Sequence, residues 1–432
     1  MPPRNQTPQD ENLLVRGLAP SPSDDHLYGA TLSTVLPMPD DLRGIPRHAR
    51  LHLLLSLYKL HLASLQGVSI AKTIDALLLA GYSDRNPALA ATWTVVGNEP
   101  VASALRRAPG LATMVTGPSG VGKTESILRA LARHPAQIIR HNSFPKLIGP
   151  HYQVVWMSVD VPASGRLADL ARSLMMLWDN TFEMAVPGYR PRFATTLAVR
   201  RTDGARMFAE WLQVAQSHFL GVLHLDEMQN FFKLPTLAQR RQKKAGRADG
   251  AIELSLVEDQ LLKSVLTLVN RGQIPLVLSG TPDGANALIT HRVSNAQRLA
   301  TGAGAHEITA FPSVSDPRFR GLMDFLAPYQ YLQKRLVVDD KVRALILELT
   351  GGIARLIVAL WISAQRVALD RKDDTLRVDD FRRAASTYMA PVAPAVAALR
   401  SGDPRKLSRY EDLIPLDTSA WSGFWGQTSP PK

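Results

Sequence analysis

The sequence predicts an α/β fold, an open parallel sheet built around a phosphate-binding loop and followed by a small helical bundle. Three observations predict it. The loop Gly117-Pro118-Ser119-Gly120-Val121-Gly122-Lys123-Thr124 lies between an apolar run, Leu111 to Thr116, and a helical stretch, Glu125 to Ala132. That order of strand, glycine loop and helix is what the G-x-x-x-x-G-K-[ST] phosphate cradle requires. Apolar runs of strand length then alternate with amphipathic stretches as far as residue 311, the pattern of a parallel sheet with crossover helices. From Pro317 onward the spacing is helical.

Composition bounds the answer. The 432 residues have room for two or three domains, and 45% hydrophobic with 20% charged residues describe a globular chain. No stretch reaches the length of a membrane span, and Met1 to Gln6 carries no apolar segment of a secretory leader. A cytoplasmic location is expected, and no membrane partner. The absence of cysteine excludes disulfides, thiol catalysis and cysteine zinc sites. Fifty basic against 38 acidic residues give a net charge of +12, which favours a polyanionic partner, nucleic acid first.

Residues 1–50, rich in Pro, Asp and Ser, read as an extended, poorly packed arm. Leu51, Leu54, Leu55, Tyr58, Leu62 and Leu65 put an apolar stripe on a helix that Gly67 ends, with a second short helix to Gly81. Residues 85–108 read as a helical lead-in, and this first hundred residues carries no chemistry, only a docking region. After the loop, Val154 to Val159 is a buried strand, Leu167 to Phe182 a helix, Pro187 to Arg201 an exposed basic loop or hairpin, and Met207 to Phe219 a helix.

Gly221-Val222-Leu223-His224-Leu225-Asp226-Glu227 is an apolar strand that ends in two carboxylates. Downstream of a phosphate loop, the first carboxylate suits Mg²⁺ and the second suits polarisation of the attacking water. Lys123 would reach phosphate and the Thr124 hydroxyl would join Asp226 at the metal. His224 reads as facing a neighbouring strand, because no second metal ligand lies at suitable spacing. The run Lys233, Arg240, Arg241, Lys243, Lys244 and Arg247 is one-signed up to Asp249 and reads either as a solvated loop or as a DNA contact. Leu256 to Val269 is a helix, and Ile274 to Ser279 is a strand that ends Gly280-Thr281-Pro282. Either Ser279 or Thr281 is placed to sense a γ-phosphate. A helix carrying Arg292 and Arg298 leads to a last strand, His306 to Phe311. Either arginine suits a trans-acting role at a neighbouring subunit's nucleotide. Val338 to Leu349, Ile353 to Leu369 and Val378 to Met389 form the bundle, with Gly351-Gly352 between the first two and Arg355 within reach of the nucleotide. Tyr410 to Trp425 ends acidic-apolar and aromatic, a peptide for a partner or a strap on its own protein.

With these motifs in order, the chain resembles an AAA+ ATPase, and more narrowly the TnsC/TniB transposition regulators, with MuB a more distant relative. Leu225-Asp226-Glu227-Met228-Gln229-Asn230, Leu278-Ser279-Gly280-Thr281-Pro282 and Thr350-Gly351-Gly352-Ile353-Ala354-Arg355-Leu356-Ile357 carry the narrower likeness. The resemblance implies an AAA+ P-loop NTPase core at 91–315, a helical lid at 316–390, a helical N-terminal extension at 1–90 and a partner-binding tail at 391–432. It implies ATP and Mg²⁺ as cofactors, Asp226 and Glu227 as the Walker B pair, Ser279 or Thr281 as first sensor and Arg355 as second. It favours Arg298 over Arg292 as the trans-acting arginine. It further implies a slow, regulatory ATPase in a bacterial, nucleoid-associated setting. That ATPase would form a homo-oligomeric ring or filament on double-stranded DNA, independent of sequence, and link a target selector to a transposase. The rival expectation is an AAA+ nucleotide switch acting as a signalling or protein-remodelling scaffold without DNA.

Overall fold

The computed structural model describes residues 12–97, 111–199, 203–231, 274–285 and 303–403, together with residues 261, 263–265, 268 and 406. Its strands in chain order are β1 (Ala112–Thr116), β2 (Ile138–His141), β3 (His151–Val154), β4 (Trp156–Asp160), β5 (Val222–Asp226), β6 (Leu276–Gly280) and β7 (Ala305–Glu307). Five of them form one parallel sheet in the order β4-β5-β6-β1-β7, and β2 and β3 pair antiparallel beside it. β1, β5 and β6 are buried along their whole length, which is why they read as mainly apolar runs. The chain enters the sheet at β1, crosses to the far edge at β4 and returns strand by strand until β6 lies beside β1. β7 then adds on the other side. The winding reverses at β1, and a crevice opens there at the carboxyl ends of the strands.

The twofold alternation of strand side chains divides the core. Leu223, Leu225, Leu276 and Leu278 face the helices Leu167–Ala185 and Gly204–Ser217, with Trp178 and Trp211 buried between them. Val115, Val222 and Val277 face the opposite way, toward the helices Leu65–Ser83 and Lys123–Ala132. Leu261, Val265 and Leu268, from the expected helix after the basic run, belong to the first face.

A third core lies in the C-terminal bundle. The helices Pro317–Leu326, Asp340–Thr350, Ala354–Leu369 and Val378–Thr387 pack around Phe319, Trp361 and Phe381, close to their expected bounds. Gly351 ends the second of these helices in the left-handed conformation, the usual way to satisfy a helix C-terminus. A Cβ on Gly352 would stand 2.1 Å from the Phe311 carbonyl oxygen, so only glycine lets the bundle meet the chain leaving β7. No single helix among the described residues is long and apolar enough to cross a membrane.

The structure corrects several readings. Residues 12–50 are not a loose arm: Leu14, Tyr28, Leu32 and Leu42 are buried. The helix expected to run from Leu51 into the sixties stops at Ser56, and Gly67 lies in the first turn of the next helix, Leu65–Ser83. Within Pro187 to Arg201, Phe193 is buried and a short helix runs Ala194–Ala198. The carboxylate of Asp179 folds that segment down, accepting from the backbone N–H groups of Arg192 and Phe193 and from the Tyr189 hydroxyl. The last strand is shorter than expected, three residues at the sheet edge, and Ile308 to Phe311 continues as a connection.

Residues 12–83 contribute to two cores. Leu14, Tyr28 and Leu32 pack on the sheet, while Leu42, Leu54 and Leu57 pack on the bundle. Between these anchors, Thr34 and His61 pair as a short antiparallel bridge. Arg129 of the helix after the phosphate loop donates to the carbonyls of Leu32 and Lys59, on either side of that bridge. The N-terminal segment is thereby drawn across the mouth of the crevice.

Candidate nucleotide-binding site

The loop Gly117 to Thr124 sits at the carboxyl end of β1, where the winding reverses. Gly117 has φ 155°, and a Cβ there would lie 2.1 Å from the Ile308 carbonyl oxygen; no side chain fits between loop and β7 exit. Lys123 is buried and its Nζ donates to the carbonyls of Gly117, at 2.8 Å, and Pro118, at 3.0 Å. The ammonium is folded into the concave side of the loop, beside the N-terminus of the helix Lys123–Ala132, where an anion is favoured.

β5 lies two places from β1 and delivers Asp226 to the same spot. Thr124 Oγ1 donates to Asp226 Oδ2 at 2.6 Å. On the other carboxylate oxygen, Asp226 Oδ1 accepts from Ser279 Oγ at 2.5 Å and from the Glu227 N–H at 2.8 Å. Burial works to raise the Asp226 pKa, but the Ser279 and Thr124 hydroxyls, His224 and the Glu227 N–H outweigh it and hold the carboxyl below its ordinary range. A hydroxyl and an ionised carboxylate side by side are hard oxygen donors of the kind Mg²⁺ takes in phosphate-transfer sites. The residues present therefore fit the metal expected from the motifs.

Glu227 turns out of the strand with φ 57°, a left-handed conformation unusual outside glycine. Its carboxyl is pushed up by burial and then by the charge of Asp226. Gln229 Nε2 donates to Glu227 Oε2, while Gln229 Oε1 accepts from the Thr281 N–H at 3.2 Å. The glutamine thus connects the end of β5 to the turn after β6.

That turn separates the two candidate sensors. Ser279 is fully buried, does not reach the cleft, and has its hydroxyl directed at Asp226. Thr281 lines the cleft, and its Oγ1 is buried with no hydrogen-bond partner among the described residues. Of the pair, Thr281 presents the open polar group. His224 lies between β4 and β6, bonded to Ser158 and Ser279, and burial pushes its pKa down to about 4.

The cleft around these groups has a volume of about 1130 Å³. Its floor is Ser119 to Ser126 with Asp160, Asp226 and Glu227. One wall is the bundle, through Pro317, Arg318, Leu322, Arg355 and Val358, and the other is the N-terminal segment, through His26, Gly29, Tyr58, His61 and Leu62. The Arg355 N–H donates to the Gly120 carbonyl at 3.0 Å, which docks the bundle onto the loop, and the exposed Arg355 side chain lines the cleft. Arg318 also lines it, paired with Asp316.

Lys123, Thr124, Asp226, Glu227, Thr281 and Arg355 are therefore gathered in one cleft, and Ser279 is held behind it. Arg292, Arg298 and the run Lys233, Arg240, Arg241, Lys243, Lys244 and Arg247 lie outside the described residues, as does the aromatic tail. Sequence reasoning missed the N-terminal wall, the bridging role of Gln229 and the contact between Ser158 and His224. For the wall the signal was faint: Tyr58, Leu60 and Leu62 alternate around His61, a pattern of period two inside a stretch read at helical period.

Residues 107–289 match the family model described as AAA domain. No curated protein matches the chain. Among solved structures, the chain is similar to the Aeropyrum pernix ORC1 protein in complex with DNA, at 14% identity and TM-score 0.43, covering 85% of this chain and 71% of that one. It is similar to the Aeropyrum pernix ORC2 protein at 13% identity and TM-score 0.38, covering 64% and 62%. It is also similar to the Thermotoga maritima RuvB Holliday junction branch migration motor, at 12% identity and TM-score 0.35, covering 82% and 83%. The five-stranded parallel sheet, phosphate loop and helical regions make this an AAA+ P-loop fold.

Proposed function

We propose that the protein binds and hydrolyses ATP with Mg²⁺, and that its ATP-bound form assembles on duplex DNA as a regulator of transposition. One observation carries the ATPase reading: the Thr124 hydroxyl and the Asp226 carboxylate touch at 2.6 Å beside the loop that holds Lys123. Mg²⁺ bound by that pair would neutralise charge on the phosphate oxygens. Lys123 and the loop N–H groups hold the phosphates, and Arg355 adds positive charge from the bundle side. Glu227, its pKa raised by burial and by Asp226, accepts the proton of the attacking water, and Gln229 orients its carboxylate. Thr281 Oγ1, buried and without a partner among the described residues, donates to the γ-phosphate and reads its loss.

The DNA half of the proposal is supported by sequence: the net charge of +12, the basic run from Lys233 to Arg247 and the three short motifs shared with TnsC/TniB regulators. Contact through those six cations would be to phosphate, without base readout, so affinity should drop roughly 10³-fold between 50 and 200 mM salt. Fluorescence anisotropy with random-sequence duplex DNA, with and without a non-hydrolysable ATP analogue, tests it. Nucleotide-dependent, salt-sensitive binding is expected, and Lys123→Ala should abolish both ATP binding and DNA assembly. ATP hydrolysis without any such DNA binding would leave a nucleotide switch that works on proteins alone.

A further inference from the structure

β5 is apolar except for one residue before its acidic end. His224 occupies a fully buried position in the middle of the sheet, in a strand otherwise made of Val222, Leu223 and Leu225. A polar group in such a place is costly unless each of its hydrogen-bonding atoms is satisfied. Both ring nitrogens are. Ser158, in register with His224 on β4, contacts Nδ1 at 2.8 Å, and Ser279 on β6 contacts Nε2 at 2.7 Å.

The direction of these bonds follows from their far end. An ionised carboxylate only accepts, so Ser279 gives its hydroxyl proton to Asp226 Oδ1. The Ser279 oxygen must then accept from His224, which puts the ring proton on Nε2. Nδ1 is left as the acceptor for the Ser158 hydroxyl. With the ring neutral, the bonds run one way, from Ser158 through His224 and Ser279 to Asp226, across three strands, and neither histidine nor serine has a second arrangement with Asp226 still satisfied.

We infer that His224 is a positioning residue for the metal-binding carboxylate: through Ser279 it fixes the Asp226 rotamer opposite Thr124. Of the three groups that grip Asp226, the Thr124 hydroxyl is the one a metal recruits as a ligand. The Glu227 N–H is tied to the left-handed turn. Ser279 is the remaining restraint, and His224 keeps its hydroxyl pointed at Asp226 rather than at a backbone carbonyl. This rests on the ATP-hydrolysis reading above.

The test uses His224→Leu, His224→Gln, Ser279→Ala and the His224→Leu/Ser279→Ala double variant of the full chain. Leu matches the neighbouring strand residues in kind, and Gln restores a donor near Nε2. For His224→Leu, binding of a fluorescent ATP analogue in EDTA should stay within about twofold of the unaltered protein. The Mg²⁺ concentration for half-maximal enhancement of binding should rise about 10-fold, and kcat should fall about 10-fold with KM for ATP little changed, the scale of lost second-layer support at metal sites. His224→Gln should recover most of both. Ser279→Ala should reproduce the Mg²⁺ shift, and the double variant should be no worse than Ser279→Ala, as residues acting in series require. If His224→Leu keeps the original Mg²⁺ requirement and kcat, or if the two single effects add in full, the inference is overturned while the ATPase reading stands. A wild-type protein that neither binds nor hydrolyses ATP overturns both. Should His224→Leu not fold, His224→Asn, whose shorter side chain does not reach Ser279, takes its place by the same two readouts, with an unchanged Mg²⁺ requirement and kcat overturning the inference.

Discussion

Two aspartates in this protein are buried to nearly the same degree and differ in kind. Asp226 at the end of β5 and Asp75 in the helix Leu65–Ser83 are 4% and 5% exposed. Each is gripped by at least three groups. At Asp75 these are the Tyr28 hydroxyl at 2.6 Å, the Ser21 hydroxyl at 3.2 Å, the Arg133 guanidinium and, at 3.4 Å, the His134 ring. At Asp226 every donor is neutral: two hydroxyls and one backbone N–H. Burial and hydrogen-bond number thus fail to separate the ion-paired carboxylate from the proposed metal-binding one, and charge balance separates them. Asp75 has its own cation and ties residues 12–34 to the back of the phosphate-loop helix. Asp226 has no ion-paired cation among the described residues and stands at the edge of a cleft, and its charge acts on its neighbours. Asp160, across the strand pair, is pushed up by burial and then by Asp226, as Glu227 is.

The strongest way to break this contrast is to neutralise each carboxylate without changing its shape. Asp226→Asn should cut ATP hydrolysis by at least about 10²-fold and remove the Mg²⁺ dependence of nucleotide binding, with little loss of stability, since no cation is left stranded. Asp75→Asn should leave Mg²⁺ dependence intact and cost about 3–5 kcal/mol of stability, because Arg133 is then buried without its partner. Steady-state hydrolysis and urea denaturation of both variants decide it. A strongly destabilised Asp226→Asn beside a stable Asp75→Asn would invert the argument.

The sequence disclosed these two sites unequally. Gly117 to Thr124, Asp226-Glu227 and Gly351-Gly352 are legible because each consists of consecutive residues with a local backbone demand, so their order alone located sheet, loop and C-terminal helices. Asp75 and its partners were not legible. Tyr28, Arg133 and His134 lie about 50 residues or more away on either side, and only packing brings them together. The Ser158–His224–Ser279 contact is hidden for a related reason, since strand register sets it. The stripe Leu51 to Leu65 failed differently. Periodicity reports which residues are apolar and not which are covered: Leu54 is buried, whereas Leu55, Tyr58 and Leu65 are largely exposed. The helix breaks at Ser56 into a tighter turn, and the true inward face, Leu54 and Leu57, packs on the C-terminal bundle.

A finer probe uses Glu227 as a reporter of the Asp226 charge. A general base works ionised, so hydrolysis should fall as pH drops through the Glu227 pKa. That pKa is raised above its ordinary 4.5 by burial first and Asp226 second. The acid limb of kcat/KM, which reports the free protein, should therefore lie above pH 4.5 and vanish with the bulk of activity in Glu227→Gln, a loss of roughly 10²–10⁴-fold. Asp160→Asn removes one of the like charges facing Glu227 and should move the limb to lower pH. A limb unmoved by Asp160→Asn would mean that the carboxylates do not share a field.

The smallest effect separates the sites by acid stability. Asp75 is held below its ordinary pKa: burial opposes this, and His134, Arg133 and Tyr28 outweigh it. A carboxyl with a depressed pKa stabilises the fold above its unfolded value, and that stability is lost only as pH falls below about 3.8 toward the folded value. His218, against Trp178 and Phe182, is pushed down to about 4 by burial. Its folded pKa is likewise depressed, so its contribution is present above the ordinary 6.5 and is lost as pH falls from 6.5 toward 4. Unfolding free energy should thus decline in two stages, the first including up to about 3 kcal/mol from His218 beside the shares of His61 and His224, which burial also pushes down to about 4, the second belonging in part to Asp75. His218→Asn keeps a donor for the Tyr152 carbonyl and should shrink the first stage without touching the second; Asp75→Asn should shrink the second without touching the first. Denaturation at intervals between pH 3 and 8 measures both. A first stage abolished by Asp75→Asn would mean that Arg133 does not hold Asp75 ionised in that range, and that the two carboxylates differ less than their partners imply.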